Sequence, residues 1–268
     1  MSRVVPRTFR VQASRNCTTV SCENHRDIVR SASTRTSAFG HLEAARAFEE
    51  RRFSGPIGQM VAAEQKRVLA NMIGRIHERT ILDVGTGFGR TAITLAGGAA
   101  LVTAIDSSET LLNEARRRAT EQVVKVHFLR GDAQALEFRP RSFDVVVCLG
   151  VLHTTRDWRQ CVAESCRVAD RLFIFDYPSA MSTAAIHVAL RRLFRRGPYR
   201  VLTRRAVEQA LERSHFRIRS VHRQYVLPMW FHRALGSRHF TSWLEDRLDR
   251  LRLLRVFGSP VTICAERE

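Results

Sequence analysis

The amino-acid sequence predicts an α/β protein, a mostly parallel sheet with helices on both faces. Two observations carry this. From Thr80 to Phe175, apolar runs of four to seven residues alternate with longer amphipathic stretches. The runs are nearly continuous in Val, Ile, Leu and Phe, the pattern of strands buried on both sides under crossover helices.

Residues 41–53 have helical spacing, and Phe53-Ser54-Gly55-Pro56-Ile57-Gly58 breaks it. A second helix is expected from about Gln59 to His77, with Met60, Ala63, Val68, Met72 and Ile73 giving an apolar face. Strands follow at Thr80–Val84, Leu101–Ile105, Val123–Leu129, Phe143–Leu149 and Leu172–Phe175. Between them lie helices at Thr91–Ala96, Ser108–Thr120 and Asp157–Ala169, the second capped by Ser107 or Ser108. Beyond Asp176 the pattern predicts a basic amphipathic segment at Ala184–Arg196, a helix at Thr203–Ser214 with Thr203 as N-cap, and a strand at Ile218–Val226. A helical basic stretch at 228–256 and a last strand at Val261–Ala265 complete the chain.

The 268 residues suffice for one α/β domain with a cap. No apolar run reaches the roughly 18–20 residues needed to span a bilayer, so a soluble or peripheral, cytoplasmic protein is expected. The formal charge is +18, unevenly spread. Residues 1–40 carry seven Arg against two acids, residues 187–256 carry 17 Arg against five, and the middle is nearly neutral. The first 40 residues read as a disordered tail or, from their Arg-rich and acid-poor composition, an organelle-targeting segment. The six cysteines, Cys17, Cys22, Cys148, Cys161, Cys166 and Cys264, form no CxxC pair and no zinc-ligand spacing, so free thiols and no metal site are expected.

The chemistry concentrates at Asp83-Val84-Gly85-Thr86-Gly87-Phe88-Gly89, where a strand ends at an acid and three glycines follow at alternate positions. Glycines permit a tight turn and close approach of a ligand, and the next helix offers free N–H groups. The dinucleotide fingerprint is G-x-G-x-x-G/A; here the third glycine comes one position early, and Arg90 fills the fingerprint's third slot. A second strand ends at Asp106, whose carboxylate can accept both hydroxyls of a ribose. After the third strand, Asp132 could accept from an adenine amino group, and the Ala133 N–H could donate to the ring. The fourth strand feeds the mouth at Leu149 and leads to His153. Thr86, Ser107 and Leu149 complete the candidate cofactor set.

In these motifs the run from about Met60 to Phe175 resembles the class I methyltransferases, close to the group containing the ubiquinone and menaquinone methyltransferases. Asp83 to Gly89 matches that family's D/E-x-G-x-G-x-G motif in full, Asp106 its ribose-binding acid, and Asp132-Ala133 its adenine-contacting pair. The resemblance implies a Rossmann-like seven-stranded sheet with one antiparallel strand, and S-adenosylmethionine as cofactor. It implies a single domain over 41–268, with a cofactor core at about 60–176. Residues 41–58 would fold over the cofactor, with Phe53 to Gly58 as lid, and 177–202 and 228–256 would complete the substrate cap.

Methyl transfer needs an aligned nucleophile and, for a hydroxyl or carbon acid, a proton acceptor. His153 is the best base candidate, and Asp176 and Tyr177 lie near the expected mouth. The expected acceptor is a small molecule or lipid, such as a quinol-type or polyketide-like hydroxyl or ring carbon. The Arg-rich flank suits peripheral contact with an anionic membrane. Nucleic acid is disfavoured: no RNA-binding module is visible, and few aromatics interleave the basic residues beyond Tyr225, Trp230 and Phe231. Two other readings compete: an NAD-dependent oxidoreductase, set back by the early glycine, and a non-catalytic cofactor-fold protein acting on RNA or a partner through its basic flank.

Overall fold

The computed structural model describes residues 42–182 and 200–268. The tail at 1–40 and the amphipathic segment at Ala184–Arg196 lie outside the described residues. The elements are α1 (Leu42–Phe53), α2 (Gly55–Ile73), β1 (Thr80–Val84), α3 (Arg90–Ala96), β2 (Leu101–Asp106), α4 (Glu109–Glu121), β3 (Val126–Arg130) and β4 (Phe143–Cys148). They continue with α5 (Trp158–Val168), β5 (Ala169–Tyr177), α6 (Arg204–Glu212), β6 (Phe216–Tyr225), α7 (Met229–Leu235), α8 (Arg238–Arg250), α9 (Leu253–Phe257) and β7 (Ser259–Arg267).

The strands form one seven-stranded sheet in the order β3-β2-β1-β4-β5-β7-β6. β1 to β5 pair in parallel, and β7 runs antiparallel between β5 and β6. Both faces are covered because successive side chains point to opposite sides of a strand. Val146, Cys148, Phe173 and Phe175 pack on one face with α5 and α6 residues such as Trp158, Val162, Val207 and Leu211. Val145, Val147, Leu172 and Ile174 pack on the other with α2, α3 and α4, through Val68, Met72, Ile93 and Leu112. The strand order reverses between β1 and β4, and the crevice outside such a switch point is where open α/β sheets bind ligands.

Several boundaries differ from the sequence expectation. The break at Phe53 to Gly58 shrinks to Ser54 alone, and α2 starts at Gly55 rather than Gln59. Pro56 sits in the first turn of α2, where a missing N–H costs no intrahelical bond. Gly58 lets the end of α1 lie directly on α2: a Cβ there would stand 2.2 Å from the Phe53 carbonyl carbon. α2 ends at Ile73, short of His77, because Gly74 turns to φ +71°. β3 starts at Val126; Val123 is 90% exposed in the turn after α4. The 228–256 stretch is three helices, interrupted at Gly236, whose φ is +65°, and at Leu251-Arg252. Ser108 caps α4 and Thr203 caps α6, accepting from Leu111 N–H at 3.4 Å and Ala206 N–H at 3.3 Å.

Candidate cofactor and acceptor site

Three consecutive crossovers bring their loops to the switch point. The Asp83 carboxylate is buried at the end of β1 and accepts the Thr86 hydroxyl at 2.6 Å and the Ala92 backbone N–H. It thereby ties the glycine-rich turn to the first turn of α3. Burial pushes its pKa up to about 6 against the lowering effect of Thr86 and the nearby Arg90. Gly85, Gly87 and Gly89 all take left-handed φ, between +56° and +77°. A Cβ on Gly85 would stand 2.3 Å from Val151 Cγ2, so the turn after β1 and the loop after β4 touch there. At Gly87 nothing lies within 4 Å of a Cβ position, leaving the turn open outward.

Asp106 closes β2. Its Oδ2 accepts the Gly87 N–H at 2.8 Å and its Oδ1 the Ser108 N–H at 2.9 Å, with the Ser107 N–H also directed at the carboxylate. Burial raises its pKa in spite of these donors. The Thr86 N–H donates to Ile105 O and the Gly131 N–H to Asp106 O, so the loops after β1, β2 and β3 are laced together. Ala133 and Leu149 are half-buried against the two core faces. Asp132 is exposed; its Oδ1 accepts the Gln134 N–H at 2.9 Å.

His153 lies in the turn after β4, 7% exposed, with its carbonyl accepting the Arg200 N–H. Burial, aided by the positive Arg52, pushes its imidazole down to about 4, so it is neutral at physiological pH. Asp176, at the end of β5, is buried, and its Oδ1 accepts the Gly150 N–H at 2.6 Å. Burial raises its pKa, opposed by Arg52 and Arg90. Tyr177 is buried in the core beside Phe175, with ring centroids 6.4 Å apart.

Sequence reasoning placed residues 41–58 near the cofactor but missed the particular contacts that α1 makes along this crevice. Arg90 lies over the Phe53 ring at 3.9 Å, with Arg52 over the same ring at 5.5 Å, and Arg90 donates to Gln65. Burial, the largest cause, and then Arg52 lower Arg90 to about 10, where it remains cationic. Arg118 lies 4.6 Å from the Phe88 ring centre and pairs with Glu49 of α1 at 2.8 Å. Ala45 packs with Phe88 and Leu111. The segment expected as a lid is thus helical on both sides of Ser54, and the residues over the glycine-rich turn are those of α1. The displaced third glycine, with Arg90 in its slot, was the one sequence signal of the Arg90–Phe53 contact.

The four described cysteines are buried free thiols. The neighbouring Cys161 and burial hold Cys148 protonated, and burial raises Cys166 to about 12 and Cys264 to about 11. All four are core residues, and Cys148, Cys166 and Cys264 lack thiolate character.

A seven-stranded sheet with this order and a D-x-G-x-G-x-G turn at its switch point defines a class I, Rossmann-like methyltransferase fold. Residues 81–171 match the family model described as a methyltransferase domain. The chain is 35% identical over 96 residues to the ubiquinone biosynthesis O-methyltransferase of Nitrosomonas europaea, covering 35% of this chain and 40% of that protein. It is 33% identical over 92 residues to the uncharacterized methyltransferase YcgJ of Bacillus subtilis, covering 34% of this chain and 36% of that one. These matches span less than half the length of the curated relatives. Among solved structures, the magnesium protoporphyrin IX methyltransferase ChlM of Synechocystis, with bound S-adenosylmethionine, superposes with a TM-score of 0.58 at 19% identity. That superposition covers 94% of this chain and 100% of the other. The [4+2]-cyclase SpnF superposes with a TM-score of 0.56 at 16% identity, over 76% of this chain and 80% of its own.

Among the described residues, no helix is long and apolar enough to cross a membrane.

Proposed function

We propose that this chain transfers the methyl group of S-adenosylmethionine to a small-molecule or lipidic acceptor. The observation that carries the reading is the Gly87–Asp106 hydrogen bond at the switch point, inside the stretch that matches a methyltransferase domain. The residues suit the cofactor. Asp106 Oδ2 accepts from Gly87 and Oδ1 from Ser108, and each carboxylate oxygen has capacity for a further bond from a ribose hydroxyl. The turn is open above Gly87, and Asp132 and Ala133 stand one strand further along for the adenine end. Asp83 acts through the turn it ties to α3; Gly85, Thr86, Gly89, Ser107 and Leu149 shape the rest.

When bound, the cofactor supplies a methyl group on a positively charged sulfur that is reactive by itself. What remains for the protein is alignment, exclusion of water and disposal of a proton. The contact of Phe53 at the end of α1 with Arg90 supports a role for α1 in excluding water. His153 is neutral and can accept a hydrogen bond from an acceptor hydroxyl, but a group at about 4 has little driving force to take a proton at neutral pH. That favours an orienting role for His153, with the acceptor ionised or deprotonated by solvent. A quinol-type hydroxyl is consistent with the names of the ubiquinone-pathway relatives.

The test is calorimetry on the full chain with S-adenosylhomocysteine and with NADH, followed by transfer of labelled methyl to fractionated cell extract. Binding of S-adenosylhomocysteine and not of NADH is expected; folded protein that binds neither defeats the reading. A fold shared with a named [4+2]-cyclase gives the alternative outcome, cofactor binding without methyl transfer to any fraction.

A further inference from the structure

The insertion between β6 and β7 exposes several large aromatic residues to solvent while it buries polar ones. In α8, Thr241 is fully buried and Glu245, one turn on, is 9% exposed, whereas Phe240 and Trp243 are 43% and 52% exposed. A surface helix ordinarily shows the reverse. Seven of the eleven exposed large hydrophobic side chains among the described residues fall between Trp230 and Phe257, so the exposure belongs to this insertion rather than to the surface at large. Trp230, Leu251, Val256 and Phe257 join the α8 pair.

The same insertion carries exposed Arg238, Arg247, Arg250, Arg252 and Arg255. No ion pair joins any of these five to a carboxylate among the described residues. Asp246 and Asp249 are the exposed acids of the three helices, and Glu245 is turned inward, so the outer face has an excess of positive charge.

We infer that the outer face of α7, α8 and α9 docks on an anionic lipid bilayer. Tryptophan and arginine side chains combine an apolar body with a polar or charged end, which suits the boundary between headgroups and acyl chains. Arginines without a carboxylate partner are drawn to anionic headgroups. Trp243 already has Phe240 at 5.6 Å and Arg247 at 5.5 Å beside its ring, which disfavours stacking on nucleic-acid bases. The insertion leaves the C-terminal end of β6 and returns at the start of antiparallel β7, on the sheet edge that holds the glycine-rich turn. Docking would therefore place the bilayer toward the end of the sheet that carries the glycine-rich turn. This inference stands independently of methyl transfer.

The test is co-sedimentation of the full chain with phosphatidylcholine vesicles, with and without phosphatidylglycerol. A tryptophan emission shift reports insertion, and a cooperative urea unfolding transition is the control for an intact fold. Binding to the phosphatidylglycerol vesicles that weakens with salt is expected. Phe240→Ala with Trp243→Ala, and separately Arg247→Glu with Arg250→Glu, should each weaken it on the order of tenfold. Equal pelleting with both vesicle types, no pelleting, self-association of the protein in place of vesicle binding, or wild-type binding by both variants overturns the inference.

Discussion

The Asp106 carboxylate and the Gly87 backbone are bonded across the crevice, Oδ2 accepting the N–H at 2.8 Å. One carboxylate therefore fixes the apex of the glycine-rich turn and faces the position proposed for a ribose. Asp106→Ala should lower affinity for S-adenosylhomocysteine on the order of 10- to 100-fold, the range for losing one or two hydrogen bonds to a charged acceptor. Asp106→Asn, which keeps one acceptor oxygen, should fall between. Calorimetry measures both, and an unchanged affinity in the alanine variant would remove the ribose assignment.

Gly85 and Val151 supply a second contact between the same loops. Alanine at 85 must hold φ +70° and place its Cβ 2.3 Å from Val151 Cγ2. Gly85→Ala should destabilise the fold by about 2–4 kcal/mol from strain and overpacking together. Val151→Ala removes the clashing methyl, so the double variant should be more stable than the sum of the two single changes predicts. Urea unfolding of the four proteins gives the coupling; simple additivity would show that the loops move apart instead.

Much of this was legible in the sequence, for a physical reason. β1 and β4 are buried on both faces, so Thr80–Val84 and Phe143–Cys148 stand out as apolar runs, and Asp83 and Asp106 are legible because each ends such a run. Ser108 and Thr203 were legible as caps because the hydroxyl acts within its own turn. Where local chemistry misled, the surroundings decided: Gly55-Pro56 reads as a breaker, yet it opens α2, and Val123 reads as strand, yet it is a solvent-exposed turn residue. The Phe53–Arg90 stack and the Gly85–Val151 contact join segments 37 and 66 residues apart, and no spacing rule reaches that far.

Asp83 and His153 should give opposite slopes to stability against pH. Burial raises Asp83 to about 6 from an unfolded value near 4, so its contribution is present below pH 4 and is lost as pH rises through about 6. Burial lowers His153 to about 4 from about 6.5, so its contribution is present above pH 6.5 and is lost as pH falls through about 4. Each amounts to something on the order of 3 kcal/mol, and the two oppose each other over the same interval. The wild-type stability advantage over Asp83→Asn should shrink from pH 4 to 7, and that over His153→Asn should grow. Urea unfolding at three pH values tests this, and flat differences would mean that neither group is held in the protonation state its burial dictates.

Glu245 anchors the insertion through buried partners. Its Oε2 accepts the Val226 N–H at 2.9 Å, and its Oε1 accepts the Leu227 N–H at 3.2 Å and lies 2.9 Å from His232 Nε2. The approach of His232 is too oblique for an aligned hydrogen bond, so the two backbone bonds are the firmer part of the anchor. Glu245→Ala would leave both amides at the end of β6 without acceptors, a loss of about 2–5 kcal/mol. Glu245→Gln keeps one acceptor oxygen and should lose less. Because the insertion is joined to the sheet only through β6 and β7, the loss should appear first as local opening, with faster hydrogen exchange at Val226 and Leu227 while the amides of β1 and β4 exchange as before. Unchanged exchange at both amides in the alanine variant would show that α8 is held by its half-buried Leu244 and Leu248 rather than by the carboxylate.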